Sequence, residues 1–322
     1  MAKFISCDWG TSVLRLRLID IDTTSVEAET VSDQGVSSTF NLWKQSSKHE
    51  DERLFYYRSI LNEQVAKLEA QLSISLENLP LIVSGMASSN IGMLELPYKE
   101  VPLNADGRDL YTRVIQQTDD FRHKILMISG IKTTNDVMRG EETQLIGCLN
   151  DDDEADRYFI FTGTHSKHVR VKNGEAIDFK TYMTGEFFEL LSKKSVLSNV
   201  VENNVLPGDD NMESFRKGVA DSLHSNLLHS SFLVRTNHLL GKLSKKENYY
   251  YLSGLLIGTE MKDLTDEYEH INLVSNEFLG RYYKAAFDVL NKRNSVLETE
   301  SADGALLKGQ SKMYTIYTEI IG

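Results

Sequence analysis

Only two cysteines, Cys7 and Cys148, occur in the 322 residues. A disulfide framework and a four-cysteine zinc site are therefore excluded, and a reducing compartment, the cytoplasm, is the expected setting. Four prolines, against roughly 5% of residues in ordinary chains, leave no Pro-rich linker, so whatever joins the domains is short and structured. No run approaches the roughly 18 apolar residues of a membrane span, and the N-terminal apolar run meets Asp8 too soon for a signal segment. Positive charge is also scarce: 35 Lys and Arg stand against 47 Asp and Glu, a net charge of -12. Such a surface repels phosphate backbones and anionic lipid, so neither nucleic acid nor membrane is expected as a partner. A small anionic ligand must be met by local cations or backbone N–H groups. The P-loop, dinucleotide-binding and nucleophile-elbow patterns are missing as well.

What is present is an ordinary globular composition, 41% apolar and 25% charged, in a chain long enough at roughly 150 residues per domain to form two. Residues 3–7 read as a strand, and 13–21 as its hairpin partner, with Leu14, Leu16 and Leu18 alternating with Arg15 and Arg17. A third strand is expected over 26–31, a helix over 54–72, strands over 81–84 and 125–129, and a helix over 110–117 between them. A second pass follows: a helix over 139–149, an acidic loop over 150–156, a strand over 158–161, and a hairpin around Asn173-Gly174. Helices are expected over 184–193, 212–228, 249–264, 277–290 and 302–318, with strands over 271–274 and 296–300.

One motif is duplicated. Strand, Asp8-Trp9-Gly10-Thr11-Ser12, strand opens the first half; strand, Thr162-Gly163-Thr164-His165-Ser166-Lys167, strand opens the second. A glycine admits close approach of the backbone to a phosphate, and the following N–H groups with a Thr hydroxyl make a small anion nest. Two such turns suit the phosphates of ATP, and Asp8 beside the first suits Mg²⁺. Between the halves, Asp136-Val137-Met138-Arg139-Gly140-Glu141-Glu142 is read as a helix start whose carboxylates can accept a proton from a substrate hydroxyl. His165 and His168 point to opposite faces of a strand, which argues against a zinc site.

These stretches resemble the phosphate 1, connect and phosphate 2 elements of the acetate and sugar kinase, Hsc70 and actin superfamily. Within it the chain closely resembles the 2-dehydro-3-deoxygalactonokinase family. The matching stretches are Asp8-Trp9-Gly10-Thr11, the loop from Gly85-Met86 to Pro97-Tyr98, the block from Asp136 to Gly147, Gly163-Thr164-His165-Ser166-Lys167, Thr181-Tyr182-Met183-Thr184-Gly185-Glu186, and Leu252-Ser253-Gly254-Leu255-Leu256-Ile257-Gly258.

The resemblance implies an α/β, two-domain actin-like ATPase (ribonuclease H-like) fold. Its mixed sheets would have an antiparallel hairpin edge and parallel crossovers, with a cleft between domains 1–133 and 134–322. It implies ATP-dependent phosphorylation of the C6 hydroxyl of 2-dehydro-3-deoxy-D-galactonate, with ATP and Mg²⁺ as cofactors and a small sugar acid as partner; self-association into a homodimer is left open. On that reading Asp8 serves the metal, and Gly10, Thr11, Ser12, Gly163, Thr164 and His165 hold phosphates. Gly254 and Ser275 belong to the adenosine region, where Ser275-Asn276-Glu277 stands in place of the usual glycines. Asp136 is the expected base, with Glu141 or Glu142 as alternatives. Arg139 and Lys167 are the expected partners of the substrate carboxylate. Gly85, Met86, Ser88, Ser89, Asn90 and Tyr98 are expected around the sugar acid. The alternatives are a kinase of the same architecture acting on another sugar or sugar acid, and a nucleotide-switched ATPase of the actin and Hsc70 branch.

Overall fold

The computed structural model describes residues 2–46, 49–149, 155–202, 211–264, 268–290 and 295–321; most of the acidic stretch, 150–154, lies outside them. The chain divides into two compact units, the first made of Met1–Ala155, Lys172–Asp178 and Asp303–Gly322 and the second of Asp156–Val171 and Phe179–Ala302. The junction thus falls after Ala155 rather than at 133/134, because the helix that follows residue 140 and the C-terminal helix both pack within the first unit.

Unit 1 opens with the antiparallel meander β1 (Lys3–Trp9), β2 (Leu14–Asp20) and β3 (Val26–Ser32). There follow α1 (Val36–Ser46), α2 (Arg53–Leu72), β4 (Leu81–Gly85), β5 (Lys99–Glu100), β6 (Leu103–Asn104), β7 (Thr112–Ile115), β8 (Ile125–Ile128), β9 (Ile131–Lys132), β10 (Val137–Met138) and α3 (Glu141–Cys148). Its main sheet runs β3-β2-β1-β4-β8-β7, and β10-β9-β5 make a small second sheet. Leu14, Leu16 and Leu18 lie in the core with Tyr57, Leu61, Val65 and Leu68 of α2, as the period-2 and helical patterns require. The arginines between those leucines are not left to water. Arg17 is buried and paired to Glu29 at 2.5 Å and to Asp303 at 2.9 Å. The expected helix over 110–117 is instead the edge strand β7, antiparallel to β8; its Thr112, Val114 and Ile115 are β-branched, and the buried Arg58 donates to Gln116 O at 2.8 Å.

Unit 2 repeats the plan. Its elements are β11 (Arg157–Phe161), β12 (Ser166–Lys172), β13 (Glu175–Tyr182), α4 (Thr184–Lys194), α5 (Met212–His224), α6 (Leu227–Leu239), α7 (Lys245–Met261), β14 (His270–Ser275), α8 (Glu277–Leu290) and β15 (Val296–Ser301), except that the hairpin tip Lys172–Asp178 groups with unit 1; α9 (Ala302–Ile321) then returns to unit 1. The strand order is β15-β14-β11-β12-β13, with β6 added at the start of β13. Each sheet is therefore an antiparallel three-strand meander continued by parallel neighbours, β4 and β8 in one, β14 and β15 in the other. The helix expected over 212–228 breaks at Ser225, where Asn226 caps α6 by accepting from Leu228 N–H at 2.9 Å. Among the described residues no helix is long and apolar enough to cross a membrane.

Candidate functional site

In unit 1 the strand runs further than its apolar stretch. Asp8 lies within β1, opposite Arg15 on β2 and Ser84 on β4, and the turn proper begins at Gly10, whose N–H donates to Val13 O at 2.9 Å. Burial pushes the Asp8 carboxyl up from the ordinary carboxylate range, with Arg15 and Arg17 pulling it down and Asp303 and Glu141 pushing it up. The carbonyls of Gly10 and Thr11 accept from Val36 and Ser37 N–H at 2.9 and 3.1 Å, so α1 starts directly on the turn. Only glycine fits before that start, since a Cβ on Gly35 would lie 2.3 Å from the Ser12 carbonyl carbon. Thr11 and Ser12 remain exposed.

Two further backbones converge on Asp8. Gly85, the last residue of β4, has φ +87°, and a Cβ there would lie 2.9 Å from Trp9 O and 3.6 Å from Asp8 Oδ1. Gly140, with φ +119°, places its own Cβ position 3.4 Å from Gly85 Cα. Both positions need glycine for conformation as well as space. Gly140 caps α3, so Glu141, half-buried, opens the helix beside this junction. Glu142 is fully buried and both its oxygens are occupied: Gly140 N–H donates to Oε2 at 2.7 Å and the Thr143 hydroxyl to Oε1 at 3.0 Å. Burial, then the neighbouring Glu141 charge, push its pKa to about 7.

Asp136 is not at a helix start. It sits in the tight turn joining β9 to β10, where Thr133 N–H donates to Asp136 O at 2.9 Å and its own Oδ1 accepts from Val137 N–H at 2.8 Å. The β-branched residues on either side pair as strands, and α3 begins only after Gly140. Arg139 is turned inward. Its Nη1 donates to Ser88 Oγ at 2.6 Å and its Nη2 to Leu96 O at 3.2 Å, with the guanidinium 4.1 Å from the Tyr98 ring centroid. It braces the 85–98 loop from inside and does not present a surface cation. In that loop Ser88 is buried and donates to Ile128 O at 2.8 Å, Ser89 is buried and donates to Met86 O at 2.7 Å, Met86 is half-buried, and Asn90 is exposed.

In unit 2 the turn 162–165 joins β11 to β12, with Thr162 N–H bonded to Val274 O at 3.1 Å. A helix again starts on the turn: Gly185 and Glu186 N–H donate to Thr164 O at 3.1 and 3.2 Å, and a Cβ on Gly185 would lie 2.7 Å from Thr164 Cα. Around Gly163 the space is open: among the described residues, apart from its chain neighbours, no atom lies within 4 Å of its Cβ position. His165 is exposed, its Nε2 2.5 Å from Glu186 Oε2. Lys167 is buried and donates to His165 O at 2.9 Å, so it supports the turn from behind. Beside Gly163 lies a pocket of about 110 Å³, whose lining includes Phe188, Tyr249, Leu256, Phe278 and Tyr282. Gly254 does not face it: its Cβ position lies 2.1 Å from Phe215 O, so the residue serves the close packing of α7 on α5. Ser275 is buried at the end of β14, 2.6 Å from the Cβ position of Gly280, while Asn276 caps α8 through Leu279 N–H.

Arg15, Arg17 and Gly35 were not among the expected site residues, and Gly185 stood in a matching stretch without a role. Arginines two apart on the strand facing Asp8 were a readable signal, whereas the glycines' roles depend on which helix lands on which turn.

A duplicated meander-and-crossover sheet, each copy with a Gly-Thr hairpin turn and a helix started on it, defines an α/β protein of the actin-like ATPase fold. A model of the 2-keto-3-deoxy-galactonokinase family matches residues 8–312, and the chain belongs to that family. It is 28% identical over 301 residues to the 2-dehydro-3-deoxygalactonokinase of Escherichia coli K12, covering 90% of each chain. It is 29% identical over 318 residues to the Rhizobium meliloti 1021 relative DgoK1, named for the same activity, covering 96% of this chain and 95% of the relative. A Sinorhizobium meliloti crystal structure described by that activity superposes with a TM-score of 0.78 at 28% identity, covering 98% of this chain and 96% of the other.

Proposed function

We propose that the protein transfers the γ-phosphoryl group of ATP to the C6 hydroxyl of 2-dehydro-3-deoxy-D-galactonate. The observation that carries this reading is the junction in unit 1, where the β4 backbone at Gly85 meets Asp8, the start of α3 at Gly140 meets Gly85, and the charge of Glu141 reaches Asp8. Phosphoryl transfer asks mainly for positioning and charge neutralisation, and the parts present suit those tasks. Exposed Thr11 and Ser12 and the open side of Gly163 offer backbone N–H groups and hydroxyls to phosphate oxygens. Arg15 and Arg17, held by Glu29 and Asp303, put positive charge behind the first turn.

Asp8 fits a magnesium ion, which is held by one or two carboxylates together with phosphates; burial penalises its charge, and a cation would relieve that cost. When bound, Mg²⁺ supplies neutralisation of the phosphate charge. Glu141 is the base in this reading, taking the proton of the attacking hydroxyl, because it borders Asp8 whereas Asp136 occupies a turn and caps its own neighbour. The aromatic pocket beside Gly163 takes the adenine ring. Since the Ser88 and Ser89 hydroxyls are bonded within the protein, Asn90 and Tyr98 are left, of the loop side chains expected around the sugar acid, to meet its hydroxyls.

ADP release measured with 2-dehydro-3-deoxygalactonate and a panel of aldonic and keto-deoxy acids tests the reading. Stimulation by the galactonate derivative, with phosphorus coupled to the C6 protons in the NMR spectrum of the product, is expected. A higher kcat/KM for another acid would make the protein a kinase of that acid, and no stimulation by any acid would sink the kinase reading.

A further inference from the structure

Under one wall of the unit 2 pocket lies a polar cluster that the chemistry above does not use. Glu260 of α7 is 2% exposed and His168 of β12 is 1% exposed. His168 Nε2 lies 2.9 Å from Glu260 Oε1. Tyr283 of α8 donates to Oε2 at 2.8 Å, and the Thr184 hydroxyl, in the first residue of α4, donates to the same oxygen. Outside this ring the Tyr158 hydroxyl meets His168 Nδ1 at 3.2 Å, and Ser166 Oγ meets the Tyr283 hydroxyl at 3.0 Å. Burial holds both phenols protonated, as donors. One carboxylate therefore ties together β12, α4, α7 and α8.

Stability is a poor reason to keep such a group, because burying a charge costs several kcal/mol and apolar replacements of buried ion pairs are often neutral or stabilising. Direction is a better one. Thr184 begins the helix turn whose next two N–H groups bond Thr164 O, and Thr184 and Tyr283 both border the pocket beside Gly163.

We propose that Glu260, oriented by His168, is a positioning residue: it holds the first turn of α4 against the Gly163-Thr164 turn and so sets nucleotide affinity without touching nucleotide or sugar acid. The inference rests on the ATP-dependent reading above. Glu260→Gln should largely preserve the arrangement. The amide oxygen can still accept from Thr184 and Tyr283, and the amide N–H can face His168 Nε2 once the imidazole proton moves to Nδ1 and donates to the Tyr158 oxygen. Glu260→Ala removes the anchor, and Thr184→Val removes the link to α4 while keeping the side-chain volume at the pocket wall.

The test is calorimetric titration of wild type and the three variants with magnesium AMP-PNP, together with KM values for ATP and for the sugar acid. Glu260→Ala and Thr184→Val should weaken nucleotide binding about tenfold and raise the ATP KM in step, leaving the acid KM within about twofold, while Glu260→Gln stays within about threefold of wild type. Thr184→Val also covers the case in which Glu260→Ala fails to fold. Wild-type affinity in folded Thr184→Val, or equal rises in both KM values, would overturn the inference alone. A wild-type protein that binds no nucleotide would overturn the kinase reading and this inference with it.

Discussion

The two hairpin turns share a backbone design and differ in what stands behind it. Each joins the first two strands of a meander, each offers its carbonyls to the first N–H groups of a helix, and each requires a glycine where that helix lands, Gly35 in one and Gly185 in the other. The strand residue two before the turn glycine is Asp8 in unit 1 and Phe161 in unit 2. Around Asp8 lie Arg15, Arg17, Asp303 and Glu141; beside Gly163 lies an aromatic pocket. On the proposed reading the duplicated part holds phosphate and the part that diverged divides the remaining work, with charge, metal and proton transfer assigned to unit 1 and the nucleotide base to unit 2.

The helix landings are the most breakable part of this likeness. Gly35→Ala forces a Cβ to 2.3 Å from backbone and should cost about 3 kcal/mol in denaturant unfolding, the upper range of overpacking. Gly185→Ala, with its nearest atom at 2.7 Å, should cost less, roughly 1–2 kcal/mol; the reverse order would show that the landings are not equivalent. Glu142 offers a pH probe confined to unit 1. Its folded pKa of about 7 lies above the ordinary 4.5, so the folded state holds a proton that the unfolded state releases between those values. Stability from this group is full below pH 4.5 and falls as pH rises to 7, by on the order of 3 kcal/mol. Glu142→Gln should flatten that decline in unfolding free energy between pH 5 and 8. The smallest stability effect belongs to Gly163→Ala, within about 0.5 kcal/mol because nothing surrounds its Cβ, although the ATP KM should rise as the methyl group enters the phosphate space.

Much of this was legible in local pattern. The Leu14-Leu16-Leu18 alternation, the α2 stripe, Asn173-Gly174 and the paired Gly-Thr turns each carry their structure in a few consecutive residues. Elements decided by distant partners were not legible. Residues 112–115 became an edge strand because β8 and Arg58 lie beside them, and the unit boundary moved because the last helix returns to the first sheet, where Gln310 donates to Ser84 Oγ at 2.9 Å. Gly10 and Gly163 lie in the two hairpin turns that the motifs predicted, while Asp8 lies before its turn, within β1. Arg139 and Lys167 carried the right charge for an anionic substrate, but sequence shows a charge without its surroundings, and both are spent on holding loops. Gly254 shows the same limit, since a glycine needed for a ligand and one needed for helix packing look alike in sequence.

Single-turnover phosphoryl transfer in Glu141→Gln and Asp136→Asn tests most directly whether the carboxylate beside Asp8 does the proton chemistry. A 10²- to 10⁴-fold loss of rate in Glu141→Gln, about the usual worth of general-base catalysis, is expected, with nucleotide binding retained and Asp136→Asn within about threefold of wild type. A near-normal rate in Glu141→Gln with a collapse in Asp136→Asn would contradict the account and move the base to the β9–β10 turn.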